Sequence, residues 1–128
     1  MKILDTHVWL WLASDPDRLS PAAAKAIAAE KRLGLSAISC WELSDLLRQG
    51  KIGLYREPLE WMEQAIAEFG IELVPVTPAI AVRSSLLGPG FKGDPADRII
   101  VATAMVQAVP LISSDVTIRA CQIVETLW

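Results

Sequence analysis

The sequence predicts an α/β fold built on a mainly parallel sheet. Short β-leaning apolar runs alternate with helical segments along the whole chain, the pattern of strands joined by crossover helices. Helix starts recur where a polar residue precedes a proline at the first helical position. A length of 128 residues suits one domain, spanning 1–128, with a sizeable core.

The elements follow in order. KIL at 2–4 reads as the first strand, and the chain turns into a helix directly after Asp5. Ser20-Pro21 opens the helix PAAAKAIAAEKR, and LGLSAI at 33–38 is the second strand. Ser39 with Glu42 three positions on has the pattern of a capping box, with LSDLLRQ continuing the helix. Glu57-Pro58 leads into LEWMEQAIAEF, IELVPV at 71–76 is the third strand, and Thr77-Pro78 opens PAIAVRSSLL. Asp94-Pro95 opens PADRIIVATAMVQA, before strands at PLIS (110–113) and QIVET (122–126). No repeat, low-complexity tract or linker-like shift in composition interrupts the series.

Composition narrows the function. Hydrophobic residues make up 52% of the chain and mean hydropathy is +0.36, yet the apolar runs fall well short of a membrane span. The opening MKILDTHVWLWLA resembles a signal peptide only superficially. Asp5 and His7 interrupt it, and DPDR follows where small residues would mark cleavage. The segment therefore reads as folded and the protein as cytoplasmic. Cys40 and Cys121 match no metal or redox spacing and read as buried, reduced thiols. A net charge of −3 and a pI near 5.1 give no support for general nucleic-acid binding. They leave room for a basic rim around an acidic pocket.

Position selects among the acids. Asp5 ends the first strand and Asp115 follows PLIS, so a parallel sheet delivers both to the edge where ligands bind. Glu42 is expected in the first turn of the helix after LGLSAI, and Asp97 in the first turn of the helix opened by Asp94. Four carboxylates at one edge would repel one another and raise each other's pKa. A divalent cation relieves this, and hard oxygen ligands suit Mg²⁺ or Mn²⁺. Such a pocket would attract phosphate despite the negative total charge. Each acid also has a plainer reading. Asp94 fits an N-cap, its main expected role; Asp97 and Glu42 could face a helix dipole; Asp115 could be a turn residue. Asp5, inside an apolar run, needs a partner or a purpose.

The ordered set LDTHVWLW (4–11), SAISCWEL (36–43), GDPADRIIVATA (93–104) and PLISSD (110–115) resembles the PIN-domain family, in particular toxin ribonucleases of the VapBC type. The resemblance covers nearly the whole chain. It implies a three-layer α/β/α sandwich around a parallel sheet of four or five strands, and metal-dependent endoribonuclease activity. The site would comprise Asp5, Glu42, Asp97 and Asp115. Asp5 and Asp97 would hold Mg²⁺ or Mn²⁺ most directly, and Glu42 and Asp115 would complete the shell, partly through water. In-line attack by activated water would leave 5′-phosphate and 3′-hydroxyl ends. The resemblance further implies an RNA substrate, a small antitoxin partner that blocks the site, and a homodimer.

Other residues admit two readings. Ser113 or Ser114 could orient water or phosphate, or simply bond within the turn. His7 reads as a structural or supporting residue of the site. Trp9 and Trp41 are expected to pack inside, leaving Trp61 and Trp128 for partner binding. Arg48, Lys51, Lys92 and Arg98 lie near the expected mouth as candidate phosphate contacts, with a solvated surface role as the alternative. Three rivals remain: a non-catalytic interaction module of the same fold, a nuclease acting on DNA, and another α/β hydrolase. Against an aspartyl-phosphate phosphatase, Asp5 is followed by Thr6 and His7, not by an acid two residues on.

Overall fold

In a computed structural model describing all 128 residues, five short strands form one sheet in which every neighbouring pair is parallel. The strands are β1 (Lys2–Leu4), β2 (Leu33–Ser36), β3 (Glu72–Val74), β4 (Leu111–Ile112) and β5 (Thr126–Leu127), in spatial order β3-β2-β1-β4-β5. The chain thus builds outward from β1 in one direction, then returns to add β4 and β5 on the other side. This reversal opens a crevice beyond the carboxyl ends of β1 and β4.

Helices cover both faces, giving the three layers implied by the sequence. They are α1 (Thr6–Ser14), α2 (Pro21–Ala29), α3 (Ala37–Arg48), α4 (Pro58–Glu68), α5 (Pro78–Ser85), α6 (Pro95–Gln107) and α7 (Val116–Cys121). Strand alternation splits the core accordingly. Leu4, Leu35 and Ile112 pack with Val8, Trp9, Leu43 and Trp61 on one side. Ile3 and Leu111 pack with Ile80, Ile100, Val101 and Ile118 on the other. The caps read from sequence form: Ser20, Glu57, Thr77 and Asp94 each accept a backbone N–H from their helix's first turn, ahead of a proline. No helix is long and apolar enough to cross a membrane.

Three boundaries differ from expectation. Strand β2 stops at Ser36, whose side chain accepts the Ile38 N–H at 3.3 Å, so α3 starts at Ala37. Glu42 is therefore in the second turn, and the Ser39–Glu42 capping box does not form. Ser39 instead accepts a hydrogen bond from the Thr6 hydroxyl at 2.9 Å. Helix α7 was not legible, because Val116, Thr117 and Ile118 favour strands. Asp115 caps it through the Ile118 N–H at 3.0 Å, and Ile118 buries its side chain in the core. The chain leaves α7 through Gln122 in the left-handed region (φ 56°) and pairs only at Thr126–Leu127, later than the expected 122–126.

Ile100 is fully buried and Val82 exposed, which predicts unequal costs. Ile100→Ala should lower unfolding free energy by about 2–5 kcal/mol, and Val82→Ala by under about 0.5 kcal/mol. Urea denaturation of both variants checks this packing.

Candidate active site

The crevice at the strand-order reversal is organised around Asp5. The residue is 2% exposed, at the carboxyl end of β1. One oxygen accepts the Thr6 N–H at 2.8 Å, so the same carboxylate caps α1. The other accepts the Ser113 hydroxyl at 2.6 Å and stands 3.6 Å from His7 Nδ1. Ser113 Oγ in turn accepts the Asp115 N–H at 3.0 Å. The ends of β1 and β4 are thereby tied through one carboxylate. Burial pushes the Asp5 pKa up; His7 and the bonds from Ser113 and Thr6 oppose this, and the charge of Asp115 adds to it.

Glu42 reaches the same edge from α3. Burial raises its pKa, the Thr6 side chain opposes this, and Asp5, Asp94 and Asp115 raise it further. Asp97 comes from the first turn of α6 and is the most perturbed of the half-buried acids. Burial, then the charges of Asp94, Asp5, Asp115 and Glu42, push it up to about 7. Its approach depends on Gly93. A Cβ there would lie 2.5 Å from the Phe91 ring and 2.8 Å from Asp97 Cβ, so a glycine lets the loop close over both.

Carboxylate oxygens of Glu42, Asp94 and Asp97 all lie within 4.8 Å of one another. Three hard oxygen donors at that spacing fit a divalent cation, and burial with neighbouring charge raises the pKa of two of them, Glu42 and Asp97. Asp5 and Asp115 stand outside this closest group but act on it electrostatically. Asp94 has two roles in the structure. It caps α6, accepting the Asp97 N–H at 2.8 Å, while Asp97 Oδ2 accepts the Asp94 N–H at 3.3 Å. The sequence carried a signal for its second role: residues three apart across a helix start share a face.

The surrounding side chains sort differently from expectation. Ser113 and Ser114 bond within the fold. Ser113 bridges Asp5 and Asp115, and Ser114 meets His7 Nε2 through its hydroxyl at 2.8 Å. His7 thus links Asp5 to the β4–α7 turn. Arg48 is engaged by Asp45 at 2.7 Å, and Arg98 lies over the Phe91 ring and donates to its carbonyl. Lys92 is exposed and Lys51 lines the cleft beside Glu42 and Asp94. Cys40 and Cys121 are free thiols, each only half-buried. The tryptophan assignment needs correction. Trp61 is buried and tilts against Trp9 at 5.3 Å, whereas Trp41 is exposed. Trp128 is half-buried against Trp11.

Residues 2–122 match the PIN domain family. The chain is 40% identical over 118 residues to Ribonuclease VapC22 of Mycobacterium tuberculosis, covering 92% of this chain and 89% of that protein. Among solved structures, it is similar to VapBC2 from Rickettsia felis bound to a promoter DNA fragment, with TM-score 0.69, 11% identity, and 98% and 96% of the two chains covered. It is also similar to a toxin–antitoxin complex from Klebsiella pneumoniae, with TM-score 0.63, 21% identity, and 90% and 87% covered. At these identities the two structures establish likeness of fold.

The raised Asp97 pKa fixes the sign of a pH effect. Between its ordinary value of 3.8 and about 7, the metal-free folded state retains a proton that the unfolded chain releases. Stability conferred by that proton is complete below the ordinary value and lost as pH rises through about 7. In chelator, the melting temperature of the parent should therefore fall over this window. Asp97→Asn should flatten the decline, and an unchanged slope in the variant would separate Asp97 from the charge cluster.

Proposed function

The chain belongs to the PIN-domain family, and on that premise we propose that it is a metal-dependent endoribonuclease, the toxin of a toxin–antitoxin pair. The observation that carries the site assignment is the crowding of carboxylates with raised pKa values at the strand-order reversal. The 40% identity to a ribonuclease over 92% of the chain supports the activity. Solved toxin–antitoxin complexes of the same fold support a small antitoxin as partner. A homodimer and a cytoplasmic setting complete the reading, with the chain as a single nuclease domain over 1–128.

The site is Asp5, Glu42, Asp97 and Asp115. Asp5 and Asp97 would hold the metal directly and Glu42 and Asp115 would complete the shell, with Asp94, within 4.8 Å of Glu42 and Asp97, adding its charge to the site. Mg²⁺ or Mn²⁺ bound there would supply charge neutralisation at a phosphate oxygen and a lowered pKa for the attacking water. Asp5 contributes rigidity: two hydrogen bonds fix its carboxylate before any ligand arrives. Asp97, whose pKa burial and neighbouring charges push up to about 7, would give up its proton when positive charge entered the site. Ser113 and His7 hold the β4–α7 turn, and with it Asp115, against Asp5. Asp94 serves chiefly as the cap that sets the position of Asp97. Water attacks in line, leaving 5′-phosphate and 3′-hydroxyl ends.

Cleavage of single-stranded RNA should require Mg²⁺ or Mn²⁺ and stop in chelator. Asp5→Asn keeps an oxygen for the Thr6 N–H and should retain the parental circular dichroism while product disappears. Near-parental cleavage by Asp5→Asn would favour the non-catalytic module instead.

Asp94 and Asp97 should separate in a second comparison. Asparagine caps a helix about as well as aspartate, whereas alanine costs roughly 0.5–2 kcal/mol. Asp94→Ala should lower the melting temperature more than the specific activity, and Asp94→Asn should change both little. Asp97→Asn should stay folded and lose nearly all cleavage. Melting and gel-based cleavage assays on the three variants decide between these roles.

A further inference from the structure

Trp41 stands apart from the other tryptophans. Trp9 and Trp61 are buried and Trp11 and Trp128 shield each other, but Trp41 is 57% exposed. It directly precedes Glu42, and both line a cleft of about 190 Å³ whose wall also includes Asp94 and Pro95. The cleft is therefore continuous with the carboxylate group, since Glu42 and Asp94 belong to both. Its volume suits one planar ring system.

Charge along the cleft is arranged for an anionic chain. Asp45 lines it, but its carboxylate is engaged by Arg48 at 2.7 Å and by the Gln49 amide at 2.6 Å. Those bonds hold its pKa below the usual value. Lys51, also in the lining, acts on Asp45 through its charge but forms no ion pair with it, so its ammonium can also meet another anion. The one lining thus brings together carboxylates, which with a cation attract a phosphate, an exposed indole and a lysine ammonium. These are the three kinds of group that a phosphate, a base and the next phosphate of a single strand would need.

We propose that this cleft is a base-stacking subsite, in which the Trp41 indole receives an unpaired RNA base next to the scissile phosphate and Lys51 meets the adjoining phosphate. The inference rests on the ribonuclease reading above. An indole stacks on any base, because every base presents a π-face, so the subsite selects single-stranded over paired RNA more than it selects sequence. It acts in binding, and Trp41 touches none of the reacting bonds.

Steady-state cleavage of a mixed-sequence single-stranded RNA by the parent, Trp41→Ala and Trp41→Phe tests this. Trp41→Ala should raise KM roughly tenfold or more while kcat at saturation changes little. Trp41→Phe should recover most of the loss, because a smaller aromatic ring still stacks. The exposed position predicts an unchanged melting temperature for both variants, which excludes a folding defect. Lys51→Ala should raise KM alone, and by less at high salt, as a phosphate contact requires. An unchanged KM in Trp41→Ala, with the parent active, overturns the subsite and leaves the ribonuclease reading standing. Should Trp41→Ala instead weaken only a cognate antitoxin's binding, the cleft is a protein contact and the inference fails. A parent that cleaves no RNA with Mg²⁺ or Mn²⁺ overturns both.

Discussion

The structure depends on a repulsion that the fold sustains. Asp5, Glu42, Asp94, Asp97 and Asp115 are carried to one edge by β1, α3, α6 and the β4–α7 turn, where burial and then the charges of acidic neighbours raise the pKa values of Asp5, Glu42 and Asp97. Separate elements deliver them, so no local rearrangement lets them part. The parallel sheet holds β1 and β4 together through Ile3↔Leu111 and Leu4↔Ile112, and the two core layers clamp α6 and α3 onto it. Hydrophobic packing thus supplies the stability that the carboxylates oppose. Violation of local favourability, compensated elsewhere, is characteristic of functional sites.

Asp5 shows how far one residue serves both sides of that balance. Its carboxylate caps α1, receives Ser113 across the sheet and faces His7, so stability and site geometry share the same bonds. Asp94 and Asp97 divide similar duties at the start of α6, each accepting the other's backbone N–H. The capping box that orders the helix also fixes two carboxylates within 4.8 Å of Glu42. Gly93 removes the one side-chain carbon that would keep Phe91 and Asp97 apart.

Much of this was legible in the sequence, for reasons that also mark where legibility ended. Strand ends point residues to one edge of a parallel sheet, so the positions of Asp5 and Asp115 there follow from the sequence pattern. Pro at the first helical position fixed the starts of α2, α4, α5 and α6. Helix phase was harder. With α3 starting at Ala37, Ser39 and Leu43 face the core, and Trp41, two residues from each, points to the opposite side. The expectation that Trp41 packs inside overlooked this phase. Trp61 was misassigned because its contact with Trp9 joins segments distant in sequence. Helix α7 escaped because a single cap outweighed three β-branched residues.

The claim that the carboxylates form one cation site is tested most directly by melting the parent and Asp97→Asn with and without Mg²⁺ or Mn²⁺, at matched ionic strength. A cation bound only by the folded state stabilises it by about 2.7 kcal/mol at 100 times its dissociation constant. The account predicts a clear rise in melting temperature for the parent and little for Asp97→Asn. It also predicts that the metal-free variant melts no lower than the metal-free parent, because one like charge has gone. A parent indifferent to either ion, at concentrations that support cleavage, would contradict a shared site.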